Sequence, residues 1–319
     1  MTSLGMIFQP SAAPERLVET AVAAERAGLD ELWVWEDCFR ESGIASVVAA
    51  LSATERLRVG VGILPMALRN VAVLAMEVAT IERLFPGRAR IGVGHGVLDW
   101  MAQAGARVAS PLTLMREYIP ALRQLLAGEE LTVSGRYVEL DRVRLSWPPA
   151  SPTSILAAAE GPKTTALAGE VADGIVLTGG WGAGMVRDSV ERARAARTHI
   201  DGAAADLEVV VFLMTDFGDG AVERMEAEFD RWRLAGERRY AAVGSVDSVA
   251  ATVREVIAAG ATTVLLQSRS EEGDLVGFAE NAGRCTSCSS TVSDITSLIG
   301  SSCTPRGAGS CRGSRSPGD

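Results

Sequence analysis

Short apolar runs alternate with stripes of apolar residues at helical spacing along most of the chain, most clearly in RLRVGVGILPMALRNVAVLAMEVATIERLFPGRARIGVGHGVLDW at positions 56–100. Residues 58–64 are a β-branched and glycine run suited to a buried parallel strand. Residues 71–84 place apolar side chains on one helical face and stop before the turn signal Phe85-Pro86-Gly87. Residues 89–93 repeat the strand character before Gly94-His95-Gly96 opens the backbone. Strand, helix and strand in about 40 residues make one βαβ unit, which joins parallel neighbours.

The same alternation extends in both directions. Strands are predicted at 3–8, 31–36, 58–64, 89–93, 155–159, 174–178, 207–215 and 262–267. Helical patterns lie between them at 14–27, 44–53, 71–84, 115–126, 163–172, 185–200, 221–234 and 246–259. Pro14 suits a first helical turn and Gly28 a helix stop. Residues 97–128 are largely helical, and residues 130–145 alternate around Ser134-Gly135 as a hairpin, so 97–150 reads as an insertion. Eight strands alternating with helices predict an α/β (β/α)8 TIM barrel over an open sheet, because glycine-rich turns follow several strands rather than one early GxGxxG. From Gly283 the chain becomes small, polar and cysteine-bearing, RCTSCSSTVSDITSLIG and onward. That composition predicts a barrel over 1–282 and a disordered tail over 283–319, with the closing helix begun at 274–282 and left incomplete. The shift is abrupt enough to suggest an altered reading frame.

Composition narrows the function classes. The 319 residues are 47% hydrophobic and 22% charged with net charge −9, and contain no apolar run suited to a membrane span. The opening SLGMIF has no basic-then-apolar leader, so a cytoplasmic protein is expected. Acidic and basic residues are interspersed without a basic stripe, which argues against nucleic acid and for small-molecule partners. Five cysteines make no disulfide framework here. Cys285-x-x-Cys288 has metal or redox spacing, but its Ser/Gly-rich setting without histidine argues against zinc.

In a barrel the chemistry gathers at the carboxyl ends of the strands. Gly161-Pro162-Lys163-Thr164 opens a helix whose free N–H groups and dipole suit an anion. Thr178-Gly179-Gly180 follows one strand later and can add a hydroxyl and further N–H groups. The bland reading of each is a capped helix and a tight turn; side by side they read as a phosphate site. His95 between two glycines supports either a proton donor open to a ligand or a ring satisfied by a nearby carbonyl. Glu36 and Asp37 straddle the end of the second strand, where alternation turns one inward. Cys38 reads as a small buried residue, since no neighbouring cation is apparent to lower its pKa. His199 reads as a surface residue. Trp33, Trp35, Trp100, Trp147 and Trp181 fall near strands or loop starts, where rings wall a flat ligand or fill a core; of Trp33 and Trp35, one is expected in the helix layer. GxSxG, P-loop and metal-ligand spacings are missing from the sequence.

Three blocks, GLDELWVWED, the 56–100 stretch and ILAAAEGPKTTALAGEVADGIVLTGG, resemble the luciferase-like monooxygenase family, most of all its branch using the deazaflavin coenzyme F420. The resemblance covers roughly residues 4–267. It implies a bacterial luciferase-like TIM barrel with an inserted segment, binding a flavin or deazaflavin at the strand carboxyl ends, and a homodimer. It implies a non-prolyl cis peptide at Gly62-Ile63 behind the cofactor ring and a polar ring contact from Asp37. Ala159, Glu160 and Gly161, with Thr178, Gly179, Gly180 and Trp181, match segments holding the cofactor's phosphate. Cys38 stands where several relatives have a catalytic histidine, Val97 where sugar-phosphate oxidisers have an acidic donor, and Trp181 where some have a phosphate-binding lysine. Sugar-phosphate oxidation is therefore not expected, and His95 with Asp37 become the candidate catalytic residues. The implied activity is an F420-dependent oxidoreductase moving a hydride between the deazaflavin and a small organic substrate. The alternatives are an FMN-dependent monooxygenase of the same family and a flavin-binding protein without turnover.

Overall fold

The computed structural model describes residues 2–197 and 206–287. In chain order its elements are β1 (Ser3–Ile7), α1 (Leu17–Arg26), β2 (Glu31–Val34), α2 (Gly43–Ser52), β3 (Arg58–Pro65), α3 (Val71–Leu84), β4 (Ala89–Gly94), α4 (Leu98–Gln103) and α5 (Pro111–Leu126). There follow β5 (Leu131–Ser134), β6 (Glu139–Val143), β7 (Ile155–Ala158), α6 (Pro162–Val171), β8 (Gly174–Leu177), α7 (Ala183–Ala196), β9 (Glu208–Phe217), α8 (Ala221–Arg231), β10 (Ala242–Gly244), α9 (Val246–Ala258), β11 (Thr263–Gln267) and α10 (Leu275–Ser287).

Eight strands pair in parallel in the order β1-β2-β3-β4-β7-β8-β9-β11, and β11 returns to β1, so the sheet closes into the expected (β/α)8 barrel. The hairpin β5–β6 stands apart between β4 and β7 as a separate antiparallel pair. The short β10, absent from the sequence reading, extends the pairing along the end of β9. Among the described residues no helix is long and apolar enough to cross a membrane.

Period-two alternation builds the core. Val209, Val211 and Leu213 of β9 face the helix layer, while Val210 and Phe212 fill the barrel with Ile7, Trp33 and Leu265. Trp33 and Trp35 both lie in this inner cluster, against the expectation that one turns to the helices: residues two apart on a strand share a face. The inner glycines of β3 make room for this. A Cβ at Gly60 would lie 2.3 Å from Trp33 Cε2, and one at Gly62 2.8 Å from the same ring.

The barrel floor, at the amino ends of the strands, is charged and mostly dry. Glu31, 1% exposed, receives the Trp33 indole at 2.6 Å and pairs with Arg58 at 2.9 Å. Arg90 lies 4.0 Å from Glu31 and also pairs with Glu208, which receives Ser154 at 2.6 Å.

The closing helix α10 continues through Ser287, past the boundary at 283 and past the end expected at 282. Phe278, Ala279, Ala282 and Cys285 of α10 are buried, and a Cβ on Gly283 would meet the Ala27 carbonyl oxygen at 2.2 Å, so α10 crosses the end of α1 backbone to backbone. The sequence stripe was hidden because small residues, not large apolar ones, make this contact. His199, Cys288 and the rest of the 283–319 tail lie outside the described residues.

Candidate active site

A cavity of about 520 Å³ opens at the carboxyl ends of the strands. Its base is the bend in β3: the β3–β4 register slips between Val61 and Leu64, and the Gly62–Ile63 peptide is cis, as is Cys38–Phe39. Ile63 enters the cavity, and its side chain also lies against Gly94 on β4, where a Cβ would stand 2.9 Å from Ile63 Cγ1; at Gly92 the Val61 carbonyl oxygen, 2.7 Å from a Cβ, fills the space.

From the end of β4, His95 lines the cavity with its Nε2 buried and without a hydrogen-bond partner. Burial pushes its pKa below the ordinary histidine value, so the ring is neutral near pH 7. From the end of β2, Asp37 enters the cavity; burial raises its carboxyl pKa, opposed by a hydrogen bond from the Trp35 side chain and by the charge of Arg40. Glu36 also reaches the lining but is held as a strut. It accepts the Gly43 N–H at the start of α2 at 2.8 Å, and both its oxygens bind the Arg69 guanidinium. Cys38 is absent from the lining, and burial followed by the Glu36 and Asp37 charges pushes its thiol pKa up, so it is no ready nucleophile.

The two glycine loops meet as expected. Glu160 accepts the Thr178 hydroxyl at 2.9 Å, and Thr164 in the first turn of α6 lines the same wall. Pro162 occupies the start of α6, and Gly161 caps it without a side chain, so the first-turn N–H groups are left to a ligand or water. Gly179 lies beside Gln267 at the end of β11; a Cβ there would stand 2.9 Å from Gln267 Oε1. Gln267 is 1% exposed, lines the cavity, and leaves its Nε2 unpartnered.

Of the eleven residues assigned by sequence to catalysis or the cofactor, Asp37, Gly62, Ile63, His95, Glu160, Thr178 and Gly179 line one cavity. The other four are set back. Ala159 is fully buried with its N–H on Val176 O, Gly161 is the α6 cap, and Gly180 has φ +87° against the Arg238 carbonyl. Trp181 is buried beneath the Arg238 guanidinium, 5.3 Å from its ring centre. Trp147 lies exposed under Arg83, away from the cavity. Trp232, Phe212, Gln267 and Leu98 were not singled out. Trp232 lies in a loop after α8 and Gln267 at the end of a strand, with no motif around either; a buried amide at a barrel-strand carboxyl end was the one available signal for Gln267.

The cavity suits a flat heterocycle with an anionic arm. Its base is apolar, the buried Nε2 atoms of His95 and Gln267 are without partners, and a loop pair with free backbone donors lies along one wall. Among the described residues no group of three or more His, Cys, Asp or Glu side chains is placed to hold a metal ion.

The luciferase-like monooxygenase profile matches residues 3–227. A 5,10-methylenetetrahydromethanopterin reductase of Methanolobus tindarius is 30% identical over 176 residues, 55% of this chain and 53% of that protein. An F420-dependent glucose-6-phosphate dehydrogenase of Beutenbergia cavernae is 30% identical over 230 residues, 67% of this chain and 68% of that protein. The chain thus spans about half to two-thirds of the length of these curated relatives. An F420-dependent secondary alcohol dehydrogenase, solved with an F420–acetone adduct, superposes with TM-score 0.77 at 19% identity over 88% of this chain and 96% of that one.

Proposed function

The chain belongs to the luciferase-like monooxygenase family, and from that premise we propose that it is an F420-dependent oxidoreductase acting on a small organic substrate at the mouth of its barrel. The observation that carries the reading is the convergence of the β3 bend, the buried His95 and Gln267 nitrogens and the Thr178–Gly179 loop on one cavity. The names of the curated relatives favour the deazaflavin over FMN. When bound, F420 supplies a two-electron hydride carrier that does not use oxygen.

The chain's own residues supply the rest. Ile63 gives an apolar backing for a ring, and Gln267 Nε2 and His95 Nε2 offer polar contacts at its edge. The α6 amino terminus and Thr178 receive the phosphate, with the helix dipole as its counter-charge. His95, kept neutral by burial, takes a proton at Nε2 when a substrate alcohol or amine gives up a hydride, or donates a hydrogen bond to a carbonyl or imine that gains one. Asp37, raised towards its protonated form by burial, is the second group able to exchange a proton there. Trp35, Trp100 and Trp232 exclude water from the reacting centre.

We also propose a cytoplasmic homodimer. Val73, Met76 and Leu84 leave an exposed apolar stripe on the outer face of α3 that a second copy would cover.

Titration with F420 and separately with FMN, followed by quenching of tryptophan emission, tests the cofactor. Saturation by F420 at concentrations where FMN is without effect is the expected result; preference for FMN would replace the proposal with an oxygen-using monooxygenase. Saturation by F420 with turnover absent across a broad acceptor screen would point to a carrier protein.

A further inference from the structure

We infer that the substrate taken beside the cofactor is a flat ring compound, neutral or cationic, and that anionic substrates are rejected. This rests on the proposed reading of the site, which assigns the cofactor's place and leaves its neighbour open.

Shape comes from the aromatic side chains. Trp35 stacks on Phe212 with ring centres 6.0 Å apart and planes 17° apart, and Trp232 stands edge-on to Trp35 at 6.1 Å and 90°. The Trp232 Nε1–H is committed to Glu228 Oε1 at 2.8 Å, so the indole is held in place and offers the cavity its ring surface. Trp100 lines the same cavity from α4, flanked by the exposed Val97 and Leu98. Rigid aromatic walls favour flat ligands, which lose water from both faces on entry and gain offset or edge contacts.

Charge comes from what lines the cavity and what does not. Its ionisable carboxyls are Asp37, Glu160 and Glu36, the last neutralised by Arg69, and among the described residues no lysine or arginine lines it. The nearby guanidinium groups stand outside the lining and donate to protein groups. Arg69 is bonded to both oxygens of Glu36 and paired with Glu77 at 3.3 Å, Arg40 donates to Pro10 O at 2.6 Å, and Arg238 donates to Gly179 O at 2.8 Å while covering Trp181. Lys163 is exposed at the start of α6, beside the end assigned to the cofactor's phosphate. A substrate carboxylate or phosphate would thus leave water for an apolar space with acidic groups at its border and no cation in its lining to receive it. A cationic ring meets indole faces and carboxylates, both of which attract it.

Calorimetric titration of the full-length protein, with and without saturating F420, decides the matter. The probes share one bicyclic ring: 2-naphthol, 2-naphthylmethylammonium and 2-naphthoate, with glucose 6-phosphate as a polar anion. The neutral and cationic rings are expected to bind at least tenfold more tightly than 2-naphthoate, and glucose 6-phosphate not to saturate. Trp232→Leu should weaken both favoured rings at least fivefold, and Asp37→Asn should narrow the gap between cation and anion severalfold. Equal or tighter binding of 2-naphthoate or glucose 6-phosphate, an unchanged gap in Asp37→Asn, or no ring binding at all would overturn the inference. The F420 titration of the same preparation answers separately. Rings sorted by charge in a protein that ignores F420 would uphold the inference and sink the cofactor assignment, and F420 binding with the ring order reversed would do the opposite.

Discussion

His95 carries opposite consequences for stability and for turnover. Its folded pKa lies below the ordinary 6.5, so between those two values the unfolded chain binds a proton that the folded chain does not. Stability therefore falls as pH drops below about 6.5, and His95→Gln should reduce that loss, read as urea midpoints at about pH 5 and about pH 7.5 that lie closer together than in the wild type. The same change should lower kcat roughly 100-fold, the ordinary contribution of a positioned acid or base. Unchanged turnover would reduce His95 to a packed core ring. Asp37 is perturbed in the other direction. Its raised pKa means that the ionised form is disfavoured by folding, so at neutral pH the group opposes stability. Asp37→Asn is expected to raise the thermal midpoint while lowering turnover; a lower midpoint would mean that its hydrogen bond with Trp35 matters more than its burial. These two residues were legible in the sequence because each adjoins a strand end. Gln267 and Trp232 were not, since what distinguishes them is an unpartnered amide and a neighbouring ring, which only the fold brings together.

Among the elements, β3 is the one whose sequence is most constrained. Gly60 and Gly62 face the Trp33 indole, and the ring fills the volume that their side chains would need. Gly60→Ala should cost about 1–3 kcal/mol, the usual range for overpacking, measured by chemical denaturation, and Trp33→Phe in the same chain should recover part of it. An additive outcome would place the strain elsewhere. The strands and most helices were legible because their periods are strong, and the β5–β6 hairpin because its alternation surrounds a glycine turn. One element escaped and one was cut short. The short β10 has only three residues and pairs beyond the regular barrel, and the second half of α10 buries Ala282, Gly283 and Cys285, so composition hides its inward face past 282. The same small side chains let α10 approach α1 closely enough for Gly283 to meet a backbone carbonyl.

For the whole molecule, the exposed stripe of Val73, Met76 and Leu84 makes assembly testable apart from chemistry. Met76→Glu on α3 should shift the protein from dimer to monomer in sedimentation velocity while leaving the circular dichroism spectrum unaltered. A dimer that survives the change would place the interface on another face. The barrel as a whole was the most readable feature, because eight repeats of one pattern reinforce each other. The cavity was readable only in part, since its walls come from loops whose lengths and contacts no local pattern sets.

The floor of the barrel has a consequence for how this chain can be divided. Arg90 belongs to the first half of the molecule and Glu208 to the second, and they meet across the base beside Glu31. A fragment ending before β7 would keep two arginines there with a single carboxylate and lose Glu208. The complementary fragment would hold Glu208 with neither arginine. Half-barrels of this protein are thus mismatched in charge when alone and matched when together, so a gene split at its midpoint should yield two pieces that gain structure on mixing, with the base acting as the seam that tells each piece which partner it needs.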